Sequence, residues 1–196
     1  MKNINITTQT PLFLRFYARC FLYPYEEMGY ELQHLFRQME RGVFSDDEYS
    51  HLDQVLNIIN HYQGEDIKTL REDYVILFSH FEGNKPLCPL IAVDFMQSFG
   101  RRYDSAPFVD ELLDSGIPVN PEEPMDSIVN YLEFFSLLCE YPDQPVGMMA
   151  LNDLVENHIL AWIPLFTDIL YKSSNVAFYK EVATGLKNYL LLLSSE

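Results

Sequence analysis

The segment MGYELQHLFRQMERG, residues 28–42, shows the residue spacing that recurs along the whole chain. Its apolar side chains lie four, three, one and three positions apart, a spacing that places them on one face of an α-helix. Gly42, just beyond the last of them, is typical of a helix C-terminus. The apolar positions of this stripe are Met28, Leu32, Leu35, Phe36 and Met39.

Similar stripes and helix-terminus signals recur along the rest of the chain. Thr10 followed by Pro11 predicts the start of one helix, and Ser45 with Glu48 forms a capping box that predicts the start of another. Strand-like alternation never extends beyond a few residues, and only 8 of the 196 residues are glycine. The sequence therefore predicts an all-α fold of roughly eight to ten helices in a single globular domain, residues 1–196.

The helical spacing is interrupted by a predicted loop, residues 82–90, which contains Pro86 and Pro89. This loop separates an N-terminal helical part, about residues 8–81, from a C-terminal helical part, about residues 91–193. Because such a loop can act as a hinge, the sequence leaves open both a monomer and a domain-swapped dimer.

Proline residues also predict the boundaries of the C-terminal helices. A second proline-containing loop leads into a helix that we expect to run from about Pro124 to Glu140. Pro164 and the polar residues 173–175 are expected to separate the last helices from one another.

The chain is strongly acidic. Asp and Glu number 29 and Lys and Arg number 13, which gives a formal net charge of −16 at pH 7. Affinity for nucleic acid depends on Lys and Arg, so a nucleic-acid partner is not expected. The charge suits a cationic partner, although it also serves solubility alone.

The sequence predicts neither a secretory signal nor a membrane span. The apolar stretch from Pro11 to Tyr23 is interrupted by Arg15 and Arg19. The longest uninterrupted apolar run, residues 159–166, is far shorter than the roughly 18 residues that a span requires. The three cysteines are widely spaced and fit neither a disulfide framework nor a zinc ribbon. We therefore expect a soluble protein of a reducing compartment with buried or unreactive thiols.

Sequence motifs for catalysis are missing. The chain has no phosphate-binding Gly-rich loop, nucleophile elbow or HExxH motif, and no two of its five histidines are four residues apart. We expect no catalytic residue, no bound metal and no cofactor of its own. An alternative from a different class is a helical metal-dependent hydrolase that uses the carboxylates of Glu123 and Asp126 together with His158.

Two groups of residues are candidates for binding a partner. Glu123 and Asp126 lie three positions apart at the predicted start of a helix, where acidic side chains either complement the helix dipole or bind a cation such as a guanidinium. Aromatic residues before the 82–90 loop and the prolines within it either line an apolar groove or form a linker over the core. These groove candidates are Tyr74, Phe78, Pro86 and Pro89.

The C-terminal segment is rich in aromatic residues. Trp162, Phe166 and Phe178 lie at helical spacing, which predicts that they are buried in the core, with His158 hydrogen-bonded nearby.

Three motifs, in this order along the chain, give a family resemblance. DYVILF (residues 73–78) and the following prolines are similar to a Y-x-x-L-F…P-P segment, and EPMDSI (residues 123–128) is similar to a Glu-Pro-x-Asp-His motif in which Ser127 replaces the His. HILAWIPLF (residues 158–166), followed by Phe178 and Tyr179, resembles an H-[LI]-x-x-W-x-P-x-F…FY signature. Together they resemble the TorD/DmsD-type redox enzyme maturation chaperones.

The resemblance implies a cytoplasmic all-α chaperone without catalytic activity. Members bind the N-terminal region, commonly a twin-arginine signal, of the apo catalytic subunit of a molybdopterin oxidoreductase and retain it until its cofactor is inserted. It implies a peptide-binding role for Glu123, Pro124, Asp126, Ser127, Tyr74, Phe78, Pro86 and Pro89. It implies a structural role for His158, Trp162, Pro164, Phe166, Phe178 and Tyr179.

Two alternatives within the class of binding proteins stay open. The nitrate-reductase assembly chaperones are distant relatives whose clients need not be exported, and they also lack parts of the pattern. An acidic regulator that sequesters a basic protein would show no preference for a twin-arginine peptide.

Overall fold

The computed structural model describes most of the chain: residues 4–42, 44, 46–79, 83, 85–115, 124–140 and 151–194. Within these ranges it contains nine α-helices and one π-helical turn, Leu154–Ile159, which runs directly into the eighth α-helix. The α-helices are α1 Thr10–Cys20, α2 Met28–Met39, α3 Asp46–Gly64, α4 Ile67–Phe78, α5 Ala92–Ser98, α6 Ala106–Asp114, α7 Ile128–Glu140, α8 Leu160–Ser173 and α9 Ala177–Ser194.

The all-α prediction and the number of helices are confirmed. In the part of the chain that the structure describes, β-pairing is limited to an isolated antiparallel bridge between Ile91 and Ser127. The capping box predicted at Ser45 lies outside the described residues. None of the described helices is long and apolar enough to cross a membrane.

The core forms around α1, which packs against α2 and α7, and around α9, which packs against α3 and α8. In α1, residues such as Phe13, Phe16 and Tyr17 have no exposed surface, so this helix is buried on more than one face. A helix that is apolar around most of its circumference belongs inside a bundle rather than on its surface.

Helix starts follow local capping chemistry. The carboxylate of Asp66 accepts hydrogen bonds from the main-chain N–H groups of Lys68 and Thr69 at the start of α4. The Ser127 hydroxyl accepts one from the N–H of Asn130 at 3.3 Å and so caps α7. The predicted start of α7 near Pro124 is therefore wrong, because the cap places the first helical residue at Ile128.

Pro164 is not a helix boundary, contrary to the prediction, because it lies inside α8. A proline inside a helix removes one main-chain hydrogen bond and crowds the preceding turn. Here the π-helical turn Leu154–Ile159 ends just before that crowded turn, where the hydrogen-bond register changes.

The predicted burial of the C-terminal aromatic residues is confirmed. Trp162, Phe166 and Phe178 have no exposed surface, and neither has Tyr179. His158 is also buried, and its Nδ1 lies 3.0 Å from the hydroxyl oxygen of Tyr103.

Candidate functional site

A cleft of about 370 Å³ opens between the end of α1, the second half of α4, the segment 86–91 and the start of α7. It has the size of a small ligand site. The cleft is lined by Phe21, Leu22, Tyr23, Tyr74, Phe78, Pro86, Pro89, Leu90, Ile91, Asp94, Pro124, Ser127 and Val129.

The structure gathers six of the eight residues that the sequence assigned to binding around this cleft: Tyr74, Phe78, Pro86, Pro89, Pro124 and Ser127. They come from three segments that are far apart in sequence. Their assembly in one place was not predicted from spacing, and their role in binding remains a prediction.

Main-chain hydrogen bonds hold these segments together. The N–H of Cys88 donates to the carbonyl of Leu77 at 2.7 Å, which attaches the proline segment to the last turn of α4. The N–H of Ile128 donates to the carbonyl of Leu90 at 2.8 Å, which attaches the same segment to the start of α7. The cleft therefore has a defined backbone frame.

Aromatic rings form one wall of the cleft. The rings of Tyr23 and Tyr74 pack edge to face at 5.3 Å, and Tyr74 packs against Phe78 at 4.9 Å. The Tyr74 hydroxyl donates to the carbonyl of Phe21 at 3.3 Å. Burial raises the pKa of Tyr74 to about 12, so its ring presents a neutral surface at physiological pH.

The C-terminal signature supports this wall from the inside. The Phe78 ring stacks on Phe166 at 6.5 Å and packs against Tyr179 at 5.4 Å, while the Cys88 thiol lies 3.7 Å from the carbonyl oxygen of Phe166. Phe178 in turn packs against Tyr179. Aromatic members of both sets named by the resemblance therefore form one continuous cluster: Tyr74, Phe78, Trp162, Phe166, Phe178 and Tyr179.

Next to Trp162, three polar side chains form a hydrogen-bonded group: Tyr103, Tyr131 and His158. The Tyr103 hydroxyl bridges His158 and the Tyr131 hydroxyl, at 3.0 and 3.1 Å. Desolvation lowers the pKa of His158, and Asp153, whose carboxylate lies 4.0 Å from Nε2, opposes that shift. We interpret His158 as a structural residue.

Asp126 has a different position from the one predicted. It lies in the turn before α7 rather than on a helical face shared with Glu123. Its half-buried carboxylate accepts a hydrogen bond from the N–H of Val93 at 3.3 Å, and its carbonyl accepts one from the N–H of Ala92 at 2.9 Å. Asp126 therefore caps α5, and Glu123 lies outside the described residues.

Asp94 is a site residue that the sequence did not indicate. Its exposed side chain lines the cleft from α5, and it is the only Asp or Glu among the described lining residues. Its spacing from the other lining residues matches no motif. At the rim near Tyr23, Arg71 donates to the carbonyl of Pro24 at 2.9 Å, and its guanidinium lies 5.7 Å from the Tyr23 ring centre.

The hydrolase alternative requires a cluster of metal ligands. The chain contains two Glu-x-x-His pairs, Glu31 with His34 and Glu48 with His51, a spacing that helical carboxylate metal sites use. In the described ranges, no group of three or more His, Cys, Asp and Glu side chains is arranged to hold a metal. His51 instead lies 2.7 Å from the hydroxyl of Tyr17.

Comparison with solved structures identifies the fold. A protein from Archaeoglobus fulgidus, described as a candidate redox enzyme maturation protein, has the same fold with a TM-score of 0.65. The similarity covers 97% of this chain and 99% of the other, at 19% sequence identity. The search of curated proteins found no match.

The fold is that of the helical redox enzyme maturation proteins. The family model of the nitrate reductase delta subunit matches residues 45–168, which is more than half of the chain. The chain belongs to this family of redox enzyme maturation chaperones, whose members are not enzymes. The resemblance drawn from the three motifs is thereby confirmed, and the hydrolase alternative is not retained.

Proposed function

We propose that this chaperone is cytoplasmic and serves one molybdopterin-containing oxidoreductase. In this proposal, the cleft binds the N-terminal signal region of the apo catalytic subunit, with its twin arginines, and retains the subunit until the cofactor has been inserted. The observation that carries the proposal is the assembly of Tyr74, Pro86, Pro124 and Ser127 around one cleft.

The lining of the cleft suits an extended apolar segment. Rings and prolines dominate it, and such surfaces bind apolar side chains with little loss of conformational entropy because they are already rigid. Pro86 and Pro89 have no main-chain N–H, so they offer a bound peptide only carbonyl acceptors and apolar ring surface.

Negative charge near the cleft supports binding of the arginine pair. Asp94 lines the cleft, and Asp126 lies one residue before Ser127. Carboxylates bind a guanidinium through charge-assisted hydrogen bonds. We assign the positive end of the signal to these residues together with Glu123, which lies outside the described part of the chain.

The mechanism requires no bond to be made or broken. Binding covers the apolar signal, and release follows when the folded, cofactor-loaded enzyme no longer offers the segment. The same surface can act in a monomer or in a domain-swapped dimer exchanged at residues 82–90.

A second candidate function is assembly of a molybdoenzyme that is not exported. It is favoured by the family itself, which is described as the nitrate reductase delta subunit, and by Ser127, which stands where the motif has His. In that case the cleft binds an N-terminal segment without a twin-arginine requirement.

A peptide titration tests the proposal. The probe is a labelled synthetic nonapeptide with two adjacent arginines followed by apolar residues, and a lysine-lysine version tests the arginine requirement. Tyr74→Ala should lower its affinity about tenfold, since one buried aromatic contact is lost. Tyr171→Ala, on an exposed face of α8, is the matched control and should have no effect. Equal affinity of Tyr74→Ala and wild type would contradict the proposal, and equal affinity for both peptides would favour the second candidate.

A further inference from the structure

A second cavity, of about 470 Å³, lies beside the first, between the start of α2, the end of α3 and the start of α4. We call it the acidic cavity, because its two ionisable carboxylates are Glu26 and Glu65 and no Lys or Arg lines it in the described part of the chain. Its lining residues are Glu26, Gly29, Tyr30, Tyr62, Gln63, Glu65, Ile67 and Leu70.

The two carboxylates are available to a ligand. Neither Glu26 nor Glu65 takes part in a salt bridge within the ranges that the structure describes, although cations lie nearby. Arg19 lies 3.9 Å from Glu31, and Lys68 lies 3.7 Å from Glu72.

The other walls suit the stem of a long cationic side chain. Leu70 is fully buried, Tyr62 is 5% exposed, and the Tyr62 hydroxyl donates to the carbonyl of Tyr25 at 2.6 Å, so this surface is fixed. Tyr30 is 75% exposed and offers a free ring. Apolar and aromatic walls that also include two carboxylates suit the methylenes and the charged head of arginine or lysine.

The acidic cavity and the cleft are close enough for one peptide to occupy both. Tyr23 lines the cleft and Glu26 lines the acidic cavity, so their Cα atoms are at most about 11 Å apart. Leu70 and Tyr74 lie one turn apart on α4 and line the acidic cavity and the cleft respectively. Three or four extended residues span this distance. Between the two lies Arg71, which is held by the carbonyl of Pro24.

We infer that the acidic cavity binds an arginine side chain of the same client segment whose apolar part lies in the cleft. This inference rests on the proposed function for the identity of the peptide, but the chemistry of the acidic cavity is independent of it. Carboxylates then contact the client on both sides of the cleft. Once the apolar part is bound in the cleft, binding of the arginine in the acidic cavity takes place within the same complex and therefore raises the overall affinity.

The first test uses the acidic cavity alone. N-acetyl-arginine amide is titrated into the isotopically labelled full chain, and main-chain amide shifts are followed. The expected result is a saturable shift at Gly29, Tyr62 and Glu65 that is lost in Glu26→Gln/Glu65→Gln. Shifts that stay linear up to tens of millimolar, or that persist unchanged in the variant, would overturn the inference whether or not the cleft binds a signal peptide.

The second test crosses protein variants with peptide variants. The arginine peptide is here the nonapeptide with one further arginine added three or four residues beyond its apolar part, and the citrulline peptide carries citrulline, the neutral isostere of arginine, at that added position. Both are titrated against wild type, Glu26→Gln/Glu65→Gln and the charge-matched control Glu27→Gln/Glu72→Gln. We expect the first variant to lose roughly tenfold in affinity for the arginine peptide and nothing for the citrulline peptide, and the control to lose little for either.

The outcomes separate the two proposals. Equal losses in both double variants would mean that net charge alone acts and would overturn the inference. If both double variants bind the arginine peptide with wild-type affinity while Tyr74→Ala still weakens binding, the inference is overturned and the cleft proposal stands. Loss of the Tyr74→Ala effect would instead contradict the cleft proposal.

Discussion

At the scale of single residues, Trp162 shows how the signature supports the fold. Its ring has no exposed surface and packs against Phe95, Tyr131 and Phe166. Phe166 in turn contacts Phe78 in the wall of the cleft. The signature therefore determines the shape of the cleft without lining it.

Trp162→Ala is expected to lower the free energy of unfolding by about 3–5 kcal/mol, because it leaves a large cavity in a packed core. Trp162→Phe should cost less, since it keeps most of the ring volume and removes an indole N–H that has no hydrogen-bond partner among the described residues. Urea denaturation measures both. Normal stability of Trp162→Ala combined with lost client binding would make Trp162 a binding residue instead.

We expect the buried His51 to make the free energy of unfolding depend on pH. It is buried between Tyr17, Phe13 and Tyr189, and desolvation lowers its pKa from 6.5 to about 4. The folded chain therefore holds it neutral, whereas the unfolded chain takes up a proton below pH 6.5. Stability from this group is fully present above pH 6.5 and is lost as the pH falls towards 4.

The expected loss from this histidine between pH 7.5 and pH 5 is about 2 kcal/mol of unfolding free energy. Urea denaturation of wild type and His51→Gln at the two pH values isolates the contribution, because the other titrating groups are shared. The wild type should lose about 2 kcal/mol more than the variant over this interval. An identical loss in both proteins would show that His51 is not held neutral by the fold.

At the scale of elements, the sequence predicted the helices and buried faces that depend on the spacing of nearby residues. The stripe of Met28, Leu32 and Met39 forms α2, with all three side chains buried. The sequence could not predict that Asp126 caps α5, because this contact joins segments more than thirty residues apart and leaves no trace in either one. For the same reason it missed Asp94, and it placed a boundary at Pro164, where a π-helical turn allows the helix to continue.

Asp126 caps α5, and we propose that it also binds the positive end of the signal; substitutions can separate these two roles. Asp126→Asn keeps an oxygen that can cap α5 but removes the charge, so it should leave stability nearly unchanged and weaken binding of the arginine peptide. Asp126→Ala also removes the cap and should cost about 1 kcal/mol of stability. Urea denaturation and peptide titration of both variants are the measurements. If Asp126→Asn binds the arginine peptide as wild type does, the carboxylate serves the cap alone.

At the scale of the whole molecule, the proposed function has net charge and cleft act together. In the proposed complex, a formal charge of −16 attracts the basic peptide over long range, while the aromatic wall provides short-range affinity. The overall fold followed from the apolar spacing, and the family followed from three motifs. The position of the acidic cavity beside the cleft did not follow from the sequence, because it depends on how α2, α3 and α4 pack together.

Ionic strength distinguishes the long-range attraction by net charge from the short-range contacts in the cleft. Raising the ionic strength from about 0.05 M to about 0.5 M should lower the association rate of the arginine peptide several-fold and change its dissociation rate much less, because long-range attraction is screened while close contacts are retained. Stopped-flow fluorescence measures both rates. A dissociation rate that rises as steeply as the association rate falls would show that charge, rather than the cleft, holds the peptide.

Photo-crosslinking tests whether the apolar part of the signal lies in the cleft. The arginine nonapeptide carries a benzophenone side chain in its apolar part, and crosslinked residues are identified by mass spectrometry. We predict crosslinks to the segment 86–91 and to Tyr74 and its neighbours on α4, and we expect Tyr74→Ala to reduce their yield. Crosslinks that concentrate on the exposed faces of α8 or α9, with the cleft unlabelled, would contradict the account.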